Sequence, residues 1–322
     1  MKIDFTSNRR PISLTFAFLV GCAGLTSCSN AGPAETDAKV NIVASTQIWA
    51  DVVDSITDDE RVEITAIVTG NDADPHSFEP SAMDMARAEK ADLIIAGGGG
   101  YDSWLYQSVD QDKVIHALEL TEGHNHAHEA EDPHAEHDHA GHDHAGGAAG
   151  AEENEHVWYN PGALSQVATD TADAIRKIDP QIQVDAARAE QTIAALDQRI
   201  HALPQARIAQ THPIADHIIA HSHMKDVTPA GYRATTLSES EPTAADLNEL
   251  LQLIDAGEVE LLIDSPQTQT PYSTRIREAA EAKHIPIIDV AETPATGINF
   301  FDFFDRTLQS FESAASNIGH DH

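Results

Sequence analysis

The chain has 322 residues, a formal net charge of −34 and 41% hydrophobic residues. This length suits two lobes, each large enough to bury a core of its own. The strong negative charge argues against a nucleic-acid partner and raises the local concentration of cations, although it also serves solubility.

The N-terminal residues predict export followed by lipid anchoring. A basic start precedes an apolar run at 12–25, which is typical of a signal peptide and too short for a spanning helix. The run leads to Cys28, in a Leu-Thr-Ser-Cys segment that resembles a bacterial lipobox, whose cysteine is lipidated after cleavage. Cys22 fits the same pattern but would leave a shorter apolar segment. We therefore expect a signal peptide at 1–27, a tether at 28–38 and an extracytoplasmic protein anchored to the cell membrane.

No cysteine follows Cys28. The exported part of the chain therefore has no disulfide, and its stability must come from hydrophobic cores. The same absence excludes a thiolate metal site.

From residue 39 the sequence alternates between strand and helix patterns. Short apolar or alternating runs at 40–44, 62–68 and 93–96 predict strands. Helical spacing of apolar residues appears between them, at 48–56 and 81–90. This order is the beginning of a doubly wound parallel sheet.

Two segments interrupt the first alternation. Gly97–Gly100 does not match a phosphate-binding GxGxxG pattern, so we interpret it as a tight turn or close backbone packing before a helical stretch at 101–107. Residues 122–155 are rich in His, Asp, Glu, Ala and Gly and almost lack large apolar residues. They cannot pack a core, and we predict a disordered loop.

Structure is predicted to resume at residue 156, and Pro161 opens a helix. Farther along, apolar residues recur at spacings of four and three over 182–203. As a helix this stripe would span roughly 33 Å. We therefore predict a linking helix at 181–203 that is long enough to brace two lobes.

The alternation then returns. Strands are predicted at 208–210, 261–263 and 285–288. The helices are predicted at 216–220, 244–256, 272–283 and 300–314. The expected fold class is therefore α/β, with two doubly wound lobes at 39–180 and 204–318 joined by one long rigid helix.

Three histidines lie at the ends of predicted elements. His76 occupies a proline-stiffened loop after the second predicted strand, and His156 precedes a predicted helix. His212 directly follows the first strand of the second lobe. Each alone would more commonly be a hydrogen-bonded structural residue, but open α/β sheets bind ligands at such strand ends. Three histidines at equivalent positions therefore indicate a binding site.

These residues carry a resemblance to a known family. The segments Asp-Pro-His-Ser-Phe-Glu-Pro at 74–80 and His-Val-Trp-Tyr-Asn-Pro at 156–161, with the His-rich segment between them, resemble the zinc/manganese (cluster A-I) solute-binding lipoproteins of ABC metal importers. The resemblance covers about residues 39–314. It implies two lobes joined by one rigid helix, with the metal in the cleft between the lobes. It also implies an ABC permease and its ATPase subunit as partners.

The resemblance further implies the metal ligands. His76 and His156 would come from the first lobe and His212 from the second. The fourth ligand would be a carboxylate after the last strand, which matches Glu292, although aspartate is more usual there; Asp289 and a water molecule are the alternatives. Three imidazoles and one carboxylate suit tetrahedral Zn²⁺, whereas Mn²⁺ prefers more oxygen ligands. Zinc is the expected cargo, and manganese or iron is the alternative.

Eight further histidines lie in the predicted loop. Together with the neighbouring acidic residues they predict weak binding of several zinc ions, for collection or sensing, unless the loop is only a solvated insert. They are His124, His126, His128, His134, His137, His139, His142 and His144. His320 and His322, at the tail, are interpreted as incidental.

The remaining histidines and the tryptophans are not expected to bind the metal in the cleft. His217, His221 and His223 follow His212 closely and are interpreted as surface or accessory residues. The histidines without a motif are His116, His201 and His284, and the tryptophans are Trp49, Trp104 and Trp158. We interpret these histidines as structural and the tryptophans as core or cleft walls.

The pattern predicts a binding protein and not an enzyme. The chain has no HExxH, no GxSxG and no catalytic cysteine, and a closed shell of three histidines and a carboxylate does not activate water. Nothing beyond the membrane anchor supports an adhesin. We therefore expect a monomer that captures Zn²⁺ outside the cytoplasm for high-affinity uptake.

Overall fold

Two parallel four-stranded sheets organise the described part of the chain, residues 39–71, 75–120 and 154–318 of a computed structural model. The first sheet contains β1 (Val40–Thr46), β2 (Val62–Val68), β3 (Leu93–Ala96) and β4 (Val114–His116). The second contains β5 (Arg207–Gln210), β6 (Lys225–Asp226), β7 (Leu261–Asp264) and β8 (Ile287–Asp289). The two strand orders, β2-β1-β3-β4 and β6-β5-β7-β8, are the same. In each parallel sheet the second strand lies on one side of the first and the later strands lie on the other side, so the direction of winding changes beside the first strand.

Ten α-helices connect and cover these strands within the described residues. They are α1 (Gln47–Ile56), α2 (Ala82–Lys90), α3 (Ser103–Tyr106), α4 (Pro161–Ile178), α5 (Ala186–His201), α6 (Asp216–Ala220), α7 (Ala230–Leu237), α8 (Ala244–Asp255), α9 (Pro271–Ala282) and α10 (Phe300–Ile318). Short 3-10 turns occur at Pro75–Ser77, Gln111–Lys113 and Val157–Tyr159. The α/β fold class with two doubly wound lobes is confirmed.

The start of α4 follows directly from its sequence. Pro161 occupies the first turn, where a missing N–H costs no hydrogen bond, and the side chain of Asn160 accepts bonds from Gly162 N at 2.9 Å and Ala163 N at 3.3 Å. This cap fixes where the chain enters the helix. His156, four residues upstream of the cap, is therefore held close to a rigid element.

The linking helix is shorter than predicted. Helix α5 contains 16 residues, Ala186–His201, and buries Ala189, Ile193 and Ile200 along one stripe. Ile182 and Leu203 are also buried but lie outside the helix. The apolar spacing therefore continues past the helix ends, because flanking turns can bury a side chain without helical hydrogen bonds.

One hydrophobic core is shared by both lobes. It includes Ile42 of β1, Leu196 of α5, Ile208 of β5 and Phe304 of α10, all 4% exposed or less. Helix α10 packs against α1 and α5, and its first amide, Phe300 N, donates to the Asp51 carboxylate of α1 at 2.6 Å. The C-terminal helix therefore joins the lobes together with α5, which opposes large hinge motion.

Some predicted features fall outside the described residues or were missed. The signal peptide, the tether, Cys28, the eight loop histidines, His320 and His322 lie outside the described residues. Strands β4 and β6 and helix α7 were not predicted from the sequence. No helix in the described part of the chain is long and apolar enough to cross a membrane.

Candidate metal centre

The four predicted ligands converge on one point between the two sheets. His76 lies in the 3-10 turn after β2, and His156 directly precedes the 3-10 turn that leads into α4. His212 follows β5, and Glu292 follows β8. One potential ligand atom from each residue can be chosen so that all four lie within 4.8 Å of one another.

The spacing of these atoms matches a tetrahedral ion. The Nε2 atoms of His156 and His212 are 3.1 Å apart, and His76 Nε2 is 3.1 Å from Glu292 Oε1. Glu292 Oε1 is 3.7 Å from His156 Nε2 and 3.9 Å from His212 Nε2. Ligands about 2.05 Å from a tetrahedral Zn²⁺ are separated by about 3.3 Å. Small side-chain shifts would therefore bring all four atoms into coordination range.

Glu292, and not Asp289, belongs to this cluster. The Glu292 side chain is fully buried, whereas the Asp289 side chain is half exposed and pairs with Arg277 at 2.5 Å. In β8, Asp289 is held by strand pairing opposite Asp264. Glu292, three residues later, lies beyond the end of the strand, and its carboxylate can therefore reach the cleft.

The contact between His76 and Glu292 dominates the electrostatics of the centre. Burial alone would lower the pKa of His76, but its hydrogen bond to Glu292 and the negative charges around it raise the pKa to about 9. Burial alone would raise the pKa of Glu292, but His156 and His76 hold it well below its usual range. Burial, reinforced by His156, lowers the pKa of His212 well below its ordinary value. At neutral pH the centre contains a His76–Glu292 ion pair beside a neutral His212.

A buried asparagine sets the orientation of His156. The amide oxygen of Asn154 accepts from His156 N at 2.9 Å and from His156 Nδ1 at 2.7 Å. Its amide nitrogen donates across the lobes to Pro213 O and to the Asp216 carboxylate, both at 2.7 Å. Because Nδ1 donates to Asn154, Nε2 is the ring nitrogen of His156 that faces the centre. Asn154 therefore joins the first-lobe ligand to the loop of His212.

The loop of Glu292 is also held from both lobes. Gln267 Oε1 accepts from Glu292 N at 2.7 Å, and Thr293 Oγ1 donates to Gly70 O at 2.8 Å. Tyr159 donates its hydroxyl to Ala291 O at 2.8 Å. These bonds place the carboxylate without using its oxygens, which leaves those oxygens available to an ion.

The glycine run behaves as the predicted tight turn. Asp102 accepts from Gly97 N at 2.6 Å and from Gly98 N at 3.0 Å. Gly98 has φ +86°, and a Cβ there would lie 2.1 Å from Leu118 O. The turn brings Tyr101 against the centre, with its ring 5.0 Å from that of His76.

The three tryptophans were predicted to form core or cleft walls, and the structure shows which role each one has. Trp49 is completely buried in the core, and Trp104 packs on Phe78, with ring centroids 5.0 Å apart. Trp158 is buried with its ring 5.3 Å from His156. Trp158 is thus the tryptophan that forms a wall of the centre itself.

Two acidic residues near the centre were missed. His76 Nδ1 lies 3.6 Å from the Glu155 carboxylate and 3.7 Å from that of Glu239, and Glu239 is also 3.8 Å from His212 Nε2. Glu239 follows α7 with φ +52°, a conformation that few non-glycine residues adopt. Glu155 could have been found from its position beside His156. Glu239 has no motif and its helix was itself missed.

Of the two roles predicted for His217, surface and accessory, the surface role is wrong. Its side chain is buried, and its Nε2 contacts Asn154 O at 2.9 Å. Burial lowers the pKa of His217 to about 4, so the ring is neutral and donates to that carbonyl. His217 therefore supports the asparagine that orients His156. His223 is exposed, in agreement with a surface role, and His116 is exposed with its Nδ1 2.8 Å from Leu118 O.

Comparison with known proteins identifies relatives of the chain. The sequence model of the family described as "ZnuA: Zinc-uptake complex component A periplasmic" matches residues 42–314. The manganese ABC transporter substrate-binding lipoprotein scaA of Streptococcus gordonii is 31% identical over 134 residues, 36% of this chain and 42% of that protein. The zinc-binding lipoprotein AdcA of Streptococcus pneumoniae serotype 4 is 24% identical over 338 residues, 96% of this chain and 62% of that protein. The chain thus spans less than two thirds of the length of either relative.

The fold has counterparts among solved structures. A crystal structure of ZnuA superposes with a TM-score of 0.57 at 18% identity, over 86% of this chain and 98% of that one. At this identity the similarity concerns the fold.

Proposed function

This chain belongs to the ZnuA family of zinc-uptake complex component A proteins, and we propose that it is the extracytoplasmic zinc-binding component of an ABC importer. The observation that carries this proposal is the convergence of His76, His156, His212 and Glu292 at the spacing of a tetrahedral ion. The family consists of binding components and not of enzymes, in agreement with the sequence analysis.

Zinc is favoured by the donor set. Three imidazole nitrogens and one carboxylate oxygen suit Zn²⁺, which accepts four ligands in a tetrahedron. Manganese or iron is the second candidate, and one observation favours it: the Glu239 carboxylate lies 3.8 Å from His212 Nε2 and could supply the additional oxygen that Mn²⁺ prefers. The name of AdcA specifies zinc and the name of scaA specifies manganese, so the two relatives do not decide between these metals.

Capture in this proposal involves no bond-breaking chemistry. The ion enters between the lobes, replaces the proton on His76 and brings the three imidazoles and Glu292 into one shell. His156 and His212 need only small movements, because their Nε2 atoms already face each other at 3.1 Å. A shell closed by four protein ligands leaves no position for a reactive water. The bound ion is then cargo for release to a membrane permease.

The remaining parts of the proposal concern the membrane anchor, the partner proteins and the His-rich segment. We propose that Cys28 carries the lipid anchor and that the protein acts as a monomer beside the permease and its ATPase. The names of both relatives describe lipoproteins, which supports the anchor. The His-rich segment 122–155 would collect zinc near the cleft, since its last residues, Asn154 and Glu155, contact the centre.

Competitive titration of the chain from Ser29 onward with zinc and manganese tests the proposal. One tight zinc ion that manganese does not displace is expected. Loss of an outer partner of a ligand costs about 10- to 100-fold in affinity, so His212→Ala and Glu292→Gln should each cost more than about 100-fold. His116→Ala, an exposed histidine outside the centre, is the matched control and should retain full affinity.

Two results would contradict this reasoning in different ways. Preference for manganese over zinc would overturn the metal assignment and leave the site intact. Tight zinc binding that survives both His76→Ala and His212→Ala would overturn the site. Weak binding to the His-rich segment is distinguished by its lower affinity.

A further inference from the structure

We infer that Asp197, His201 and His221 form a second and weaker site for a divalent transition-metal ion, on the outside of the protein. Asp197 and His201 are one turn apart on α5, so their side chains share one face of the helix. His221 caps the C-terminal end of α6 and approaches this pair. Neither histidine belongs to a motif that the sequence analysis assigned to metal binding.

The geometry of the three groups matches a metal shell. Asp197 Oδ1 lies 3.2 Å from His221 Nδ1 and 3.4 Å from His201 Nδ1. Ligands of a tetrahedral Zn²⁺ are separated by about 3.3 Å. The two rings are 5.9 Å apart at 79°, so both can turn a nitrogen towards the carboxylate. One potential ligand atom from each of the three residues can be chosen with all of them within 4.8 Å.

The donor chemistry selects the kind of ion. Two imidazoles and one carboxylate suit zinc, copper or nickel, whereas magnesium and calcium prefer oxygen ligands. Three protein ligands leave a coordination position for water. The side chains of Asp197, His201 and His221 are 35%, 58% and 32% exposed. Because exposed ligands must lose hydration and side-chain freedom when they bind, affinity should be below that of the buried centre.

Ordinary helix hydrogen bonding does not account for the whole arrangement. His201 Nδ1 contacts Asp197 O at 2.9 Å, a bond that helps to satisfy the end of α5. That bond explains neither the approach of His221 from another helix nor the position of the Asp197 carboxylate between two imidazole nitrogens. A cation that replaces the Nδ1 protons would satisfy all three groups together.

An ion at this site would hold α5 against α6. Helix α6 begins four residues after His212, and its first residue, Asp216, is bonded to Asn154. The ion would therefore brace the segment that carries a cleft ligand without contacting the cleft. Because it binds the folded arrangement, it should raise the melting temperature once the cleft is full.

Site-resolved chemical protection tests the inference. The chain from Ser29 onward, with its cleft loaded with one zinc ion, is titrated with further zinc and treated with diethyl pyrocarbonate. Modification of each histidine is then measured by mass spectrometry of peptides. Zinc should protect His201 and His221 together, whereas magnesium should not. Exposed His116 in the same digest is the internal control.

Matched variants decide the outcome. Asp197→Asn keeps the shape of the side chain and removes its charge, so at least about tenfold more zinc should be needed to protect His221, while cleft affinity stays unchanged. His201→Ala should likewise weaken protection of His221. Equal protection of His221 and His116 by zinc, or protection of His221 unaffected by Asp197→Asn, would overturn the second site. Circular dichroism of each metal-free variant verifies that it remains folded.

Discussion

Zinc binding should be coupled to the release of one proton from His76 over the whole neutral pH range. The pKa of this imidazole is raised to about 9 because the charge of Glu292 outweighs the effect of burial. His76 is therefore protonated in the metal-free protein at pH 7, and an ion must displace that proton. The pKa of His212 is depressed, so it is already neutral and contributes no proton.

The magnitude follows from this count of protons. One proton displaced below its pKa costs 1.36 kcal/mol per pH unit, so zinc affinity should fall about tenfold per unit below about pH 9. Between pH 8 and pH 6 the dissociation constant should rise about 100-fold. Unperturbed imidazoles would instead predict a fall only as the pH drops through about 6. The structure therefore moves the onset of the pH dependence upward by about 2.5 units, from the ordinary imidazole pKa of 6.5 to about 9.

Two assays measure the coupling. Competition with a chromophoric chelator at pH 8, 7 and 6 gives the dissociation constants, and calorimetry in buffers of different ionisation enthalpy gives the number of protons released. About one proton should leave per zinc ion at pH 7, and His116→Ala should behave like the parent protein. An affinity that is flat between pH 8 and 7, together with no proton release, would refute the reasoning.

The same shift predicts an opposite trend for the metal-free protein. A pKa that is higher in the folded than in the unfolded state stabilises the fold below the unfolded value of 6.5, and this contribution is lost as the pH rises towards about 9. The free energy of unfolding of the metal-free protein should therefore decline across that window. Saturating zinc should remove the decline, because the proton on His76 is then absent throughout.

Three further perturbations test other parts of the structure. Asn154→Ala should weaken zinc binding about 10- to 100-fold, because the Nδ1 proton of His156 loses its acceptor; chelator competition measures this, and unchanged affinity would refute the positioning role. Gly98→Ala should destabilise the fold by more than about 1 kcal/mol in urea unfolding, since its Cβ would meet Leu118 O at 2.1 Å; equal stability would contradict the turn geometry. Deletion of 124–144 should leave the tight dissociation constant within about threefold and reduce only the weakly bound zinc; loss of tight binding would show that the segment completes the centre.

Most of the strands and helices could be predicted from local sequence patterns. Apolar runs placed six of the eight described strands, and the Asn160–Pro161 pair placed the start of α4. The missed elements have weak local signals: β6 contains only Lys225 and Asp226, and neither is apolar. Such a strand exists because β5 offers it hydrogen bonds, and that partner comes from elsewhere in the chain.

The residues of the metal centre likewise divide into those with a local sequence signal and those without one. His76, His156 and His212 could be selected from their motifs, because proline-rich turns and strand ends are visible in sequence. Asn154 lies next to one of these motifs, but it falls in a segment whose composition predicts disorder. Glu239 has no sequence signal, since its position depends on how α7 ends and packs.

The sequence by itself determined which residue types could bind a metal, the order of most strands and helices, and the three histidine positions. Only the tertiary structure decided that Glu292 enters the cleft while Asp289 remains paired with Arg277, and that His217 is buried against Asn154. Helix and strand periodicities arise from neighbours a few residues apart, so they are readable locally. The meeting of His76 with Glu292 spans 216 positions and depends on two sheets packing through one shared core.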